Sequence, residues 1–422
     1  MGQDAGLGPV TAGERIEAMD VLRGSALLGI LLMNIEAMVG PLFAGITGTD
    51  PSLTGADRVA DALVYILVQG KFYPLFSLLF GMGFAVMMAR AGQSARPSFV
   101  PLYLRRTLGL LAIGLAHALL VWSGDVLLSY ALMSIPLLLF FRRTPLSRLP
   151  RWGVTLYLVP IGLMLAFGAL SAMAGLDPNA TAEMQKATDA QTAQMAAQID
   201  AQRAAQGGAS YWAAVAQRAR DTAMMLGFLP FFGLHVLGMF VLGTWFVRSG
   251  AIARPAEFAP LYVRLRLVAL PVGLALMLLS WTIDPQMAHG APGLRTSVAF
   301  ALHGVASLLM CLGYLAWIVH GLHSARWAPK LRRLAPAGRM ALTNYLVQSV
   351  VCTLVFSGYG LGYFEQLPRA WQVPFALALF ALQVAWSRAW LARFRYGPME
   401  WLWRAFTYGR LPATGPGSSA LA

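Results

Sequence analysis

Long apolar runs recur along most of the chain, and ten of them are long enough to cross a membrane as helices. A spanning helix needs about 20 apolar residues, because the hydrocarbon core of a bilayer is about 30 Å thick. Short polar or basic connectors separate the runs, so the pattern predicts an all-α, polytopic membrane helix bundle. The ten predicted spans are about 21–43, 72–90, 101–122, 126–142, 152–175, 222–247, 260–283, 297–321, 340–359 and 371–391.

The composition supports a membrane protein and excludes a soluble globular enzyme. Hydrophobic residues make up 58% of the 422 residues and charged residues 12%, against about 45–50% and about 25% in soluble domains. So few charges cannot cover the surface of a soluble protein of this size. Both cysteines, Cys311 and Cys352, lie inside apolar runs and therefore predict no disulfide framework.

The excess of basic residues indicates how the helices are oriented. Lys and Arg number 32 and Asp and Glu 18, which gives a formal net charge of +14. In a soluble protein this excess favours a nucleic-acid partner, but in a membrane protein basic residues collect in cytoplasmic loops. With the N-terminus inside, 24 of the 32 basic residues fall on the cytoplasmic side. We therefore expect cytoplasmic N- and C-termini, the lipid bilayer as a partner and no nucleic acid.

The connectors predict one integral membrane domain over residues 1–410. The first 19 residues are polar and contain no cleavable apolar core, so we expect the first span to be a retained helix. The long insert, about 176–221, is rich in Ala and Gln and predicts an extracytoplasmic helical loop broken at Gly207–Gly208. The tail, 411–422, contains Pro, Gly and Ser and is predicted to be disordered.

Polar residues inside the first span are candidates for function, because ionisable groups are costly in lipid unless they are paired or wetted. At 100° per residue, Asp20, Arg23 and Asn34 share one face of the helix. Asp20 and Arg23 mark its cytoplasmic end, and Asn34 lies about 16 Å further out. The face predicts either a lined cavity or an interfacial ion pair, with Asn34 bonding a neighbouring helix.

His117 and Asp125 form a second candidate. They stand eight residues apart across a tight connector between the third and fourth spans, so their side chains can approach each other. A carboxylate that orients an imidazole is a frequent arrangement for a general base. The alternatives are an ordinary helix N-cap for Asp125 and a buried, hydrogen-bonded His117.

Four further residues are candidates for lining a cavity or binding a substrate. Lys71 precedes the second span, where it snorkels, pairs with Glu36 or lines the cavity. Arg339 belongs to a basic cytoplasmic loop, for which topology, anionic lipid and a phosphorylated ligand are the alternatives. Asn344 and Gln348 lie in the ninth span and would line a permeation path in a transporter. No His spacing matches a metal motif, so no metal is predicted.

Five sequence motifs follow one another along the chain: 19–35, 71–83, 123–131 with His117 before it, 338–345 with Gln348 after it, and 396–404. Together they resemble the YeiB-like family of bacterial multi-pass membrane proteins, a domain of unknown function. The resemblance covers nearly the whole chain apart from the 176–221 loop and the ends. It implies a multi-pass protein of the bacterial cytoplasmic (inner) membrane.

That family is similar in turn to the membrane acyltransferase superfamily, whose members transfer acyl groups to sugars or other acceptors at the far membrane face. There the first helix reads Leu-Asp-x-x-Arg-Gly, where this chain has Met-Asp-Val-Leu-Arg-Gly at 19–24. A catalytic His often follows where this chain has Asn34. The lysosomal glucosaminide acetyltransferase branch is closer, since it has an Asn there and takes its His from elsewhere. The resemblance therefore directs attention to His117.

We accordingly expect a membrane-embedded acyltransferase that moves an acyl group from a cytoplasmic thioester to a hydroxyl or amine outside. The donor would be acyl-CoA bound near Arg23 and Arg339, and the acceptor a small molecule or glycan. His117, oriented by Asp125, would act as the base. Asn34 would position the acyl group or stabilise the oxyanion. The alternatives are a multi-pass transporter or export factor without acyl chemistry, and a structural or regulatory membrane partner.

Overall fold

The computed structural model describes residues 16–45, 48–92, 99–286, 293–412 and 415. Helices make up most of these residues and no strand occurs among them, which confirms the all-α prediction. The predicted disordered tail falls mostly on residues outside the described part, as does most of the polar N-terminal segment.

The described residues form both short connecting helices and long helices. Leu137–Phe141 and Leu265–Ala269 are π-helical turns, each of which continues the α-helix before it. The helices are α1 (Glu17–Asn34), α2 (Glu36–Val39), α3 (Gly55–Leu67), α4 (Phe72–Gly92), α5 (Phe99–Leu120), α6 (Leu127–Pro136), α7 (Leu149–Ala174), α8 (Pro178–Gly207), α9 (Tyr211–Gly227), α10 (Leu229–Arg248), α11 (Ala259–Arg264), α12 (Leu270–Ile283), α13 (Leu294–Leu322), α14 (Ala328–Arg332), α15 (Ala335–Arg339), α16 (Ala341–Phe356), α17 (Arg369–Leu391) and α18 (Pro398–Tyr408).

Seven helical segments of the described chain are long and apolar enough to cross a membrane: Gly55–Ala91, Phe99–Leu120, Leu146–Ala174, Leu229–Arg248, Pro255–Ile283, Leu294–Leu322 and Arg369–Leu391. An eighth consists of Ala328–Arg339 and Ala341–Phe356, which meet at 77°. The two remaining predicted spans correspond to α1 and to the shorter apolar segment Leu127–Phe141. The structure is therefore roughly consistent with about ten spans and shows a multi-pass membrane protein.

The structure corrects one span boundary and adds a helix that the sequence pattern did not predict. The predicted sixth span, 222–247, begins inside α9, whereas α10 starts only at Leu229, with Pro230 in its first turn. The added helix is α3, which joins the first and second predicted spans and has one apolar face.

The long insert folds as two helices that meet at the predicted break. Helix α8 ends at Gly207, and Ser210 caps α9 by accepting a hydrogen bond from the Ala213 N–H. The pair covers the end of the bundle that the charge pattern predicts to lie outside, which we call the outer end. There the Gln202 side chain accepts a hydrogen bond from the Phe43 N–H at 3.1 Å.

At the opposite end of the bundle, α1 and α15 touch through their backbones. A side chain at Gly24 would overlap the Leu334 carbonyl, and one at Gly338 would overlap the Asp20 carbonyl. Glycine is needed at both positions, because only a residue without Cβ allows two helices to approach this closely. The contact brings Arg23 of α1 next to Arg339 of α15.

We expect Gly338→Ala to lower the free energy of unfolding by about 1–3 kcal/mol, because the added methyl forces α1 and α15 apart. Thermal unfolding of the purified protein in nanodiscs measures the change. Gly162→Ala is the matched control, since a Cβ there meets no atom within 4 Å. Equal stability of the two variants would contradict the close contact.

Candidate functional site

A cavity of about 190 Å³ lies inside the half of the bundle that carries Arg23, Arg339 and Glu400, the half that the charge pattern predicts to be cytoplasmic. Its walls come from α1, α4, α5, α6, α15, α16 and α18. We call it the chamber. Its inner wall is mainly apolar and aromatic and includes Ile30, Phe76, Phe80, Leu110 and Tyr130.

The chamber continues into a polar cavity of about 160 Å³, which we call the mouth. Two acidic side chains, Asp20 and Glu400, face the arginines there. Arg23 bonds Asp20 at 2.8 Å. The charge of the mouth is therefore positive, and it comes from six arginines: Arg23, Arg90, Arg106, Arg339, Arg395 and Arg404.

Glu400 of α18 joins the mouth to the start of α16. Its Oε1 accepts hydrogen bonds from the N–H groups of Leu342 and Thr343 at 2.7 and 3.0 Å, and its Oε2 accepts one from Thr343 Oγ1 at 2.6 Å. These are donors that the first turn of a helix leaves without an intrahelical partner. Burial raises the pKa of Glu400, whereas the hydrogen bonds from Thr343 lower it.

His117 and Asp125 are in direct contact, as the spacing predicted. His117 Nδ1 and Asp125 Oδ2 are 2.6 Å apart, and both side chains are buried. Because a carboxylate only accepts, Nδ1 donates the proton of this bond, and in the neutral imidazole Nε2 then keeps its lone pair. Asp125 Oδ1 also accepts the Leu128 N–H at 2.7 Å. Asp125 is thus both a cap for α6 and the partner that orients His117.

Tyr345 of α16 stands between this pair and the chamber. It lines the chamber, and its ring centroid lies 5.3 Å from that of His117. Its hydroxyl accepts a hydrogen bond from the Val126 N–H at 3.3 Å. His117 Nε2 is buried and has no hydrogen-bond partner in the described structure.

Comparison with known proteins gives relatives along almost the whole chain. Residues 246–410 match a family model described as a protein of unknown function, DUF418. The chain is 33% identical over 419 residues to the uncharacterized protein YxaH of Bacillus subtilis, covering 95% of this chain and 96% of that protein. It is 32% identical over 435 residues to the uncharacterized protein YeiB of Escherichia coli, covering 96% and 99%. The chain belongs to the YeiB-like, DUF418 family.

A third relative of this YeiB-like protein is an uncharacterized 39.9 kDa protein in the amylase 3' region of Bacillus acidopullulyticus. It is 28% identical over 408 residues, which cover 95% of this chain and 96% of that protein. The similarity to YeiB confirms the family resemblance that the five motifs carry. None of these comparisons shows acyltransferase activity.

The structure brings some of the predicted site residues of this YeiB-like protein together. Asp20, Arg23 and Arg339 line the mouth, and the last two also line the chamber. His117 and Asp125 pack behind Tyr345, at the inner end of the chamber.

Besides His117 and Asp125, which lie behind Tyr345, four predicted residues do not line the chamber or the mouth. Asn34 is the last residue of α1. Lys71 is buried elsewhere, where its ammonium donates to the carbonyls of Tyr65 and Gln69 at 2.8 and 2.6 Å. A buried ammonium needs acceptors, and these carbonyls supply them.

Asn344 and Gln348 instead join α16 to α17. Asn344 Nδ2 donates to Ser387 Oγ at 2.9 Å, and Gln348 Nε2 donates to Gln383 Oε1 at 2.8 Å. Polar side chains in membrane bundles commonly bond across helices in this way. The permeation path that these two residues would line is therefore absent from the described cavities.

Sequence reasoning missed an ion cluster at the outer end of the bundle. Arg369 of α17 bonds Asp61 of α3 at 2.9 Å and Glu36 of α2 at 2.8 Å. Asp61 is 2% exposed in its side chain. Two carboxylates thus neutralise one buried guanidinium and attach α17 to α2 and α3.

A second missed contact attaches the outer helices to the connector that carries Asp125. Asp221 of α9 accepts hydrogen bonds from Ser123 at 3.3 Å and from Gln198 and Gln217, both at 2.9 Å. Burial raises the pKa of Asp221, and these side-chain hydrogen bonds lower it. Among the described residues, no group of three His, Cys, Asp or Glu side chains is arranged to hold a metal ion.

We expect Glu400→Ala to lower the free energy of unfolding by about 2 kcal/mol or more, because it leaves the donors of α16 without their charged acceptor. Chemical or thermal unfolding in nanodiscs measures this loss. Glu257→Ala, which removes an exposed carboxylate paired with Arg254, should change stability by less than about 1 kcal/mol. A loss for Glu400→Ala no larger than that of the control would contradict the cap.

Proposed function

We propose that this protein is an acyltransferase embedded in the bacterial cytoplasmic membrane. It would move an acyl group from a cytoplasmic thioester, acyl-CoA, to a hydroxyl or amine of a small molecule or glycan at the outer side. One observation carries the proposal. The arginine-rich mouth lies at one end of the chamber. The His117–Asp125 pair lies beyond the other end, and Tyr345 stands between that pair and the chamber.

The mouth supports a phosphorylated donor. Guanidinium groups bind phosphate oxygens through paired hydrogen bonds, and arginines outnumber the acidic residues there six to two. Arg106 also lies over the Trp403 ring, 4.0 Å from its centroid, and this contact holds its side chain at the wall. The pyrophosphate of acyl-CoA is the group that these residues would bind.

The chamber supports the remainder of the donor. Its wall between Arg23 and Ile30 of α1 is seven residues long and rises about 10 Å from the mouth. Phe76, Phe80 and Leu110 make this wall apolar. An uncharged arm and acyl group would lie against it, with the thioester directed toward Tyr345.

His117 would supply the base for the transfer. Asp125 holds Nδ1, so Nε2 is free to take the proton of the acceptor hydroxyl or amine. The acceptor atom then bonds to the thioester carbonyl carbon. The carbon–sulfur bond breaks, and the thiolate that leaves takes up the proton from His117. Asn34 lies outside the chamber and has no chemical step in this scheme.

Hydrogen bonds join neighbouring segments on the outer side of the His117–Asp125 pair, and an acceptor or a transported solute would have to pass them. Trp122 donates to the Ala37 carbonyl at 3.0 Å, and Thr353 donates to the Val121 carbonyl at 3.4 Å. These bonds join α2, α16 and the α5–α6 connector beyond the His117–Asp125 pair. A transporter without acyl chemistry is the alternative that the following experiment distinguishes.

We expect His117→Ala to lower acyl transfer by about 10²–10⁴-fold, the usual contribution of a general base. Proteoliposomes receive acyl-labelled acyl-CoA on the cytoplasmic side and glycan and lipid extracts of bacterial membranes on the other. Labelled product and released CoA thiol are measured. Asp125→Asn should also lower transfer, because an amide presents the wrong donor to Nδ1.

His320→Ala is the matched control for this test, since His320 is exposed at the cytoplasmic end of α13. Its transfer rate should equal that of the unmodified protein. Equal transfer by His117→Ala and the unmodified protein would overturn the assignment of the base. Movement of a solute across the membrane without thioester consumption would favour the transporter.

A further inference from the structure

We propose that Tyr345 is a gate that closes the inner end of the chamber over His117 Nε2 and turns aside when a chamber ligand reacts. The gate is a property of the described side chains, and its role in catalysis rests on the proposed acyl transfer. Tyr345 is thus a positioning residue that acts through His117.

The first observation is the position of Tyr345 between two environments. One side of the residue lines the chamber. The other faces His117, with ring centroids 5.3 Å apart and planes inclined by 52°. His117 is 3% exposed and is not among the chamber-lining residues. A molecule in the chamber therefore meets Tyr345 before it meets the imidazole.

The second observation is that His117 Nε2 is buried without a partner. A buried polar atom of this kind costs free energy, and such groups need an explanation. The neighbouring Nδ1 is fully engaged by Asp125. The arrangement keeps one nitrogen ready for a proton while Tyr345 keeps it from the chamber.

The third observation is that the gate is held weakly on one side and has space on the other. The bond from Val126 N–H to the Tyr345 hydroxyl is 3.3 Å long, beyond the usual range for this type of bond. In the absence of a ligand, the chamber offers free volume into which the ring can rotate. The backbone of Tyr345 stays in place, because Glu400 binds the N–H groups of Leu342 and Thr343.

The closed position protects the donor from water. If His117 activated water, the water oxygen would bond to the thioester carbonyl carbon and His117 Nε2 would take the proton from the water. The thiolate would then leave with that proton, giving a free carboxylic acid and CoA thiol. A closed gate prevents this side reaction until the reacting groups displace the ring.

Chemical labelling of histidines in the full-length protein tests the gate without any substrate. Diethyl pyrocarbonate acylates accessible imidazole nitrogens, and mass spectrometry quantifies each site. We expect His117 to react slowly in the unmodified protein and on the order of tenfold faster in Tyr345→Ala, which corresponds to about 1.4 kcal/mol. Tyr345→Phe, which loses only the bond to Val126, should give a smaller increase.

The other histidines are internal controls. His320 is exposed and should react quickly in every variant, whereas His235 and His303 are buried and should react in none. If Tyr345→Ala exposes His235 and His303, the variant is unfolded and the Tyr345→Phe comparison decides. A His117 as reactive as His320 in the unmodified protein, or no increase in the folded variants, would overturn the gate.

A second measurement separates the gate from the proposed chemistry. In the proteoliposome assay, Tyr345→Ala should raise the ratio of thioester hydrolysis to acyl transfer. If labelling of His117 increases in the Tyr345 variants but the protein consumes no acyl-CoA, the gate is supported and the acyltransferase proposal is overturned. The gate alone would be overturned if acyl transfer occurred but Tyr345→Ala changed neither the ratio of hydrolysis to transfer nor the labelling of His117.

Discussion

The position of the whole candidate site depends on the hydrogen bonds that Glu400 accepts from the first turn of α16. They hold α18 against the cytoplasmic start of α16, so that Trp403, Arg404 and Tyr408 complete the wall of the chamber. They also satisfy donors that the helix itself cannot satisfy. One carboxylate therefore stabilises the helix that carries Tyr345 and closes the cavity that Tyr345 faces.

The His117–Asp125 pair depends on helix capping in a similar way. Asp125 accepts the Leu128 N–H with one oxygen and contacts His117 with the other. Gly114, one turn before His117, has no Cβ, and one would come within 2.6 Å of the Leu128 nitrogen. The close packing of α5 on α6 and the orientation of the imidazole thus have the same cause.

The sequence predicted those features that depend on local pattern or short spacing. Apolar runs predicted the spans, and eight residues across a tight connector predicted the His117–Asp125 contact. Contacts between distant segments were not predictable: Glu400 and Leu342 are 58 residues apart, and Arg369 and Asp61 are 308 apart. The sequence did not predict the position of Lys71, because a charged residue next to a span can equally well line a cavity or donate to backbone carbonyls. Tyr345 ends the fourth sequence motif, but the motif assigned it no role, since a tyrosine in an apolar helix resembles ordinary core.

Arginines have different surroundings at the two ends of the bundle, and this difference supports an anionic ligand in the mouth. At the outer end, one buried arginine faces two carboxylates, so acidic groups outnumber the basic one in that cluster. At the mouth, the described lining contains six arginines and two carboxylates. Like charges repel, and gathering them costs free energy unless solvent or counter-ions compensate. Positive-inside topology explains basic residues in the loops, but it does not require their convergence from α1, α4, α5, α15 and α18 on one cavity. The phosphorylated donor that we propose would bind where these arginines converge.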